Sequence, residues 1–137
     1  MSDTLTFAKS HQYDTRKKGI SLVVRLQSGA EIIEVEAKLD TGSSICIFKR
    51  AHGELLGFDI ESGVPEQVGT VTGSFPAYGH EITHSVLGIE TITTVYFAAD
   101  ENFTRNVLGR QGWLDRVRLG LVDYEGRLYL NEYGDPS

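Results

Sequence analysis

The chain has 137 residues, 40% of them apolar and 23% charged, which suits a single soluble globular domain with one core. A net charge of −6 argues against a nucleic-acid surface, and the lone Cys46 excludes an intrachain disulfide. Residues 1–18 carry Asp3, Lys9, Asp14 and the basic run Arg16-Lys17-Lys18 without an apolar stretch. They read as a flexible N-terminal arm that is neither signal peptide nor membrane anchor, which places the protein in the cytoplasm.

From there the pattern is strand-rich. Ile20 to Leu26 alternates, Gln27-Ser28-Gly29 turns, and Glu31 to Leu39 returns, a hairpin whose second strand ends at Asp40. Val35, Ala37 and Leu39 supply one apolar face by period-two spacing. Cys46 lies in the apolar run Ile45-Cys46-Ile47-Phe48 with no base close in sequence, and reads as core volume rather than as a nucleophile. Phe48 to Leu56 predicts a short helix stopped by Gly57, with His52 facing solvent. Glu61 to Gln67, holding Gly63 and Pro65, predicts a loop.

Val68–Thr72 and Ala77–Val86 predict strands flanking Gly73-Ser74-Phe75-Pro76, and Glu90–Ala98 is a β-branched strand. Gln111 to Arg116 is helix-like, with Trp113 in the core. Arg118 to Leu130 reads as a hairpin turning at Tyr124 to Gly126. No internal repeat appears. The expectation is an all-β domain over residues 19–132 with one or two short helices, followed by a tail at 133–137.

The chemistry concentrates at Leu39-Asp40-Thr41-Gly42-Ser43-Ser44. An acid at the tip of an apolar strand gains a rigid, mostly apolar mounting, and Gly42 permits a sharp turn directly after it. Thr41 and Ser43 bring hydroxyls within reach of neighbouring backbone or of the carboxylate, so the acid can be oriented without a counter-charge that would lock it ionised. Taken alone, the triplet is also an ordinary turn. Val107-Leu108-Gly109-Arg110, taken alone, is a buried strand ending at a turn.

The two motifs together, at this separation, resemble the retropepsin-like aspartic proteases of the cellular or bacterial single-domain type, over the span Ile20 to Leu130. The resemblance implies that Val107, Leu108 and Gly109, with Arg110, thread behind the Asp40 turn and prop it. It also implies that Gly69 to Tyr78 forms a flap whose residues Thr72, Gly73, Ser74 and Phe75 lie over a substrate. A single Asp-Thr-Gly in one domain further implies half of a closed β-barrel that acts as a symmetric homodimer, the second acid being Asp40 of another copy. The implied activity is aspartic endopeptidase, without cofactor, on a peptide or protein substrate.

Ser44 and Ile45 stand where viral members carry further acids, so Arg110 needs a carboxylate from elsewhere. Terminal strands commonly build the dimer sheet in this family, which makes Leu128, Tyr129 and Leu130 intersubunit contacts; a hairpin folded onto its own core is the alternative. A catalytically silent dimerisation or peptide-binding module is the second functional reading, since fold does not certify chemistry.

A third reading comes from His80-Glu81-Ile82-Thr83-His84, which matches the zinc-peptidase string H-E-x-x-H. That motif needs a helix. Pro76 and Gly79 precede it, and Thr83, Val86, Ile89, Ile92, Thr93, Thr94 and Val95 are strand formers. On a strand the two histidines stand about 13 Å apart, too far to share one zinc ion. The extended motif fails at Leu87 and Glu90, and Glu101 lies in a polar stretch, so no metal is expected.

Overall fold

The computed structural model describes residues 2–134. β2 (Ser21–Ser28) and β3 (Glu31–Leu39) form the expected antiparallel hairpin, in a register that sets Val24 opposite Val35 and Leu22 opposite Ala37. Period-two alternation decides which face is buried: Leu22, Val24, Leu26, Val35 and Ala37 point into the core, and the intervening charged residues point out. Gly29 occupies the turn at φ +58°, the left-handed region that glycine enters without a Cβ penalty.

Seven strands form the main sheet in the order β2, β3, β8, β4, β7, β6, β5, and an added pairing of β2 with β6 closes it on itself. Its remaining members are β4 (Ile47–Phe48), β5 (Val64–Thr70), β6 (Gly73–Val86), β7 (Ile89–Ala98) and β8 (Val107–Leu108). The enclosed core gathers Leu26, Phe48, Phe97, Leu108 and Trp113, each at most 1% exposed. A smaller cluster of Ile47, Ala77, Ala98 and Val107 lies beneath Val68, Phe75, Tyr96 and Phe103.

The single α-helix among the described residues, α1 (Arg50–Leu55), lies inside the predicted segment and stops as expected at Gly57, whose φ is +90°. The Gly57 N–H donates to the Glu54 carbonyl at 2.9 Å and the Phe58 N–H to the Gly53 carbonyl at 3.1 Å, the paired bonds of a Schellman stop. Gly53 is required by packing, because a Cβ there would sit 2.6 Å from Ile60 Cδ1 and 2.8 Å from Phe97 Cγ.

Four expectations are corrected. Val64 to Gln67, read as loop, belong to β5, because Pro65 lies on the edge strand of the sheet, where a missing ladder donor costs little. Gly73 to Pro76, read as the turn, open β6; the turn itself is Val71-Thr72. His52 is half-buried rather than solvent-facing. The fourth correction concerns the arm: Lys9–Gln12 form β1, antiparallel to β10 (Arg127–Glu132), and β10 pairs in turn with β9 (Val117–Val122) to make a second, three-stranded sheet.

The arm is tied down further by the Tyr13 N–H, which donates to the Gly126 carbonyl at 2.8 Å, and by Tyr13 Oη, which donates to Asp123 Oδ1 at 2.6 Å. In the hairpin, Leu128 and Leu130 are fully buried in the chain's own core, while Tyr129 on the other face lies 5.8 Å from the Phe7 ring. Of the two places open to the leucines, the structure selects the intrachain core. A β-bonded partner within the chain already covers each edge of β10. In the tail, Tyr133 and Gly134 follow β10; residues 135–137 lie outside the described residues.

Candidate active site

Asp40 stands where β3 ends, and its position is set from behind. β8 runs parallel to the end of β3, with Lys38 opposite Val107 and Leu39 opposite Leu108. The Lys38 N–H donates to the Asn106 carbonyl at 2.9 Å and the Asp40 N–H to the Leu108 carbonyl at 2.9 Å. Beyond the acid the chain turns. The Ser43 N–H reaches the Asp40 carbonyl at 3.2 Å, and the Gly42 N–H donates to Asp40 Oδ1 at 2.9 Å, an Asx-type turn that aims the carboxyl group. The Ser43 hydroxyl donates to the Ile45 carbonyl at 2.7 Å, while Thr41 is exposed.

The turn and the strand behind it are laced together. The Arg110 N–H donates to the Ser43 carbonyl at 2.9 Å and the Gln111 N–H to the Ser44 carbonyl at 3.0 Å. Gly109 passes so close that a Cβ on it would overlap the Ile45 carbonyl oxygen and lie 2.7 Å from that of Ser43. Only glycine fits there. Beneath it, Cys46 Sγ accepts the Gly109 N–H at 3.4 Å, and burial pushes the thiol up to about 11, so it stays protonated and fills core volume.

The Asp40 carboxyl group is exposed and oriented by one backbone N–H. Among the described residues, neither Asp40 nor Arg110 makes an ion pair. The carboxylate expected for Arg110 is therefore not found among the described residues. Arg110 borders a recess of about 220 Å³ with Ser44, Gln111 and Asp115.

The flap segment is a β5/β6 hairpin with Thr72 in its turn and Gly73, at φ +150°, just after it. Ser74 Oγ donates to Gln67 Oε1 at 3.2 Å across the ladder. Phe75 does not cap the tip; it packs 4.9 Å from the Phe103 ring, beside Val68. Val71, missed in the sequence because it sits inside a predicted strand, is the apolar residue at the tip and is fully exposed.

The H-E-x-x-H segment lies within β6. His80, Ile82 and His84 share one face, and Glu81 is exposed on the other. Each histidine serves a different carbonyl: His80 Nε2 is 2.9 Å from the Ile60 oxygen, its ring stacked on Phe58, and His84 Nε2 is 2.7 Å from the Gly112 oxygen. A glutamate pointing away from both rings cannot activate water beside them, so the geometry required by the zinc string is not met.

The closed sheet, with an acid at the end of β3 and a glycine-bearing strand threaded behind it, defines an all-β, retropepsin-like fold. Among solved structures the chain is similar to the EIAV protease complexed with the inhibitor HBY-793, at a TM-score of 0.56 and 22% identity over 72% of this chain and 88% of that one. No protein-family model and no curated protein matches the sequence.

Proposed function

We propose that this protein is an aspartic endopeptidase that works as a symmetric homodimer, with Asp40 of two copies forming the catalytic pair. The observation that carries the reading is the mounting of Asp40: a carboxyl group at the surface, aimed by the Gly42 N–H and fixed from behind by the Leu108 carbonyl. One such acid per chain makes half a site. Two copies about a two-fold axis supply the other half.

Two carboxylates brought within a few Å cannot both ionise cheaply, so the pair holds one proton over a window of pH. Identical residues then play different parts. The ionised Asp40 takes a proton from a water molecule as its oxygen attacks the amide carbonyl, and the protonated Asp40 donates toward the carbonyl oxygen. The apparent pKa values belong to the pair. The β5/β6 hairpin, with Val71 at its tip, suits a lid that excludes water and offers backbone groups to an extended peptide.

Subunit mixing tests this reading. Peptide-library cleavage from about pH 4 to about pH 7 should rise more steeply than linearly with protein concentration. It should also be poisoned by excess Asp40→Asn chains, because a mixed dimer holds one acid. Cleavage that is proportional to concentration and indifferent to the variant would overturn the dimeric dyad. Absence of cleavage in a proven dimer would favour the binding module.

A further inference from the structure

Asn106 directly precedes β8, and its side-chain amide is fully used. Oδ1 accepts the Lys49 N–H at 3.0 Å, Nδ2 donates to the Glu36 carbonyl at 3.0 Å, and Nδ2 lies 3.3 Å from His52 Nε2. Its backbone carbonyl accepts the Lys38 N–H at 2.9 Å. One residue thus ties the end of β3 to the start of α1. This tie adds to a short seam: the β3–β8 register spans Lys38 and Leu39, beside the β2 pairing that holds the outer edge of β3, and α1 has no side-chain cap.

Hydrogen-bond chemistry then fixes the protonation of His52. The Lys49 N–H must meet an oxygen, which sets the orientation of the amide, and both Nδ2 hydrogens are left for the Glu36 oxygen and His52 Nε2. Nε2 therefore accepts, and the imidazole carries its proton on Nδ1, an atom buried without a hydrogen-bond partner. A proton on Nε2 would set donor against donor.

We propose that Asn106 is the positioning residue of the Asp40 turn, an amide clamp that closes only over a neutral His52. Burial, then the nearby Lys49 charge, holds the imidazole below its ordinary range, in keeping with a neutral ring. The other charges around it offer no compensation. Arg50 is engaged with Glu54 and Glu61, and Asp59 is exposed at the head of the following 3-10 turn. On β3, Lys38 lies along Gly19, and Glu36 borders a recess with His11 and Lys17. Arg105 is exposed, and β7 presents Phe97 to α1.

Amide hydrogen exchange on the full chain tests the clamp without requiring activity. At about pH 7.5, Asn106→Ala should speed exchange at Lys38 and Asp40 by about tenfold or more, with the β6–β7 ladder changed less than about twofold. Acidification of the wild type should open the same two amides selectively. His52→Gln, which keeps an acceptor for Asn106 but does not titrate, should remove that response. The nitrogen NMR spectrum of the imidazole should show a protonated Nδ1 and a bare Nε2.

Unchanged exchange at Lys38 and Asp40 in Asn106→Ala, a protonated Nε2 at neutral pH, or an acid response that persists in His52→Gln would each overturn the proposal. If Asn106→Ala does not fold, the wild type and His52→Gln decide it. The activity arm rests on the peptidase reading: Asn106→Ala should lower kcat about a hundredfold while KM stays within about twofold, and an unchanged kcat would remove the positioning role. A protein that cleaves nothing yet shows the exchange pattern would sink the peptidase reading and leave the clamp standing.

Discussion

The main-chain N–H of Asp40 donates to the carbonyl of Leu108 at 2.9 Å, so the acid takes its place from a strand distant in sequence, and its exposed carboxyl group is held, among the described residues, only by the Gly42 N–H. Asp40→Asn should therefore keep the fold, since Oδ1 of asparagine can still accept the Gly42 N–H. Turnover should fall by about 10³-fold or more, because the amide can neither take nor share the proton. Circular dichroism and peptide cleavage on one preparation check both halves.

Gly109→Ala should be costly for the opposite reason. The added methyl would meet the Ile45 and Ser43 carbonyl oxygens, which are backbone and cannot rotate away. A loss of about 3 kcal/mol is expected, at the upper end of overpacking penalties. Urea denaturation should show it, together with a displaced Asp40 turn and lost activity.

Trp113 is 1% exposed and packs in the main core. Trp113→Ala should cost about 3–5 kcal/mol, read as a fall in the urea midpoint. A change below about 1 kcal/mol would mean that the C-terminal segment is not seated on the core as described.

His84 gives a pH dependence with a defined sign. Its Nε2 lies 2.7 Å from the Gly112 carbonyl oxygen, its Nδ1 is buried without a partner, and burial, only partly offset by that hydrogen bond, holds the imidazole below its ordinary range. The unfolded chain then binds the proton more readily than the folded one. The stability from a neutral His84 is present above the ordinary histidine value of about 6.5 and is lost as the pH falls from there through the depressed folded value. Urea midpoints measured from about pH 8 down to about pH 5 should decline, and the slope should be shallower in His84→Gln.

Cys46 should resist alkylation in the folded protein. Its thiol is buried and pushed up to about 11, so iodoacetamide at about pH 8 should label it only as the chain unfolds. Rapid labelling under native conditions would contradict its place beneath Gly109.

The β2/β3 hairpin, the Asp40 turn and the short strand before Gly109 were legible because each is encoded locally: alternation or an apolar run marks a buried strand, and glycine marks a turn. The passage of Gly109 behind Asp40 was implied by the family resemblance. The same locality misread Gly73 to Pro76 as a turn. Gly and Pro signal a break in the ladder, yet the β5/β6 pairing carries them as strand and turns at Val71-Thr72. The histidine string was legible as strand for the related reason that its neighbours are β-branched.

By itself, then, the sequence determined the strand-rich pattern, the single acid at a strand tip and a buried strand ending at Gly109; that this strand passes behind the acid was implied by the family resemblance. Only the tertiary structure decided the rest. Lys9–Gln12 became a strand, Leu128 and Leu130 went to the chain's own core, and Asn106 joined Glu36, Lys49 and His52. The physical reason is common to all three. An edge strand's partner, a hairpin's buried face and an amide's hydrogen bonds are chosen by groups far along the chain, which leave no periodic trace in the residues that receive them.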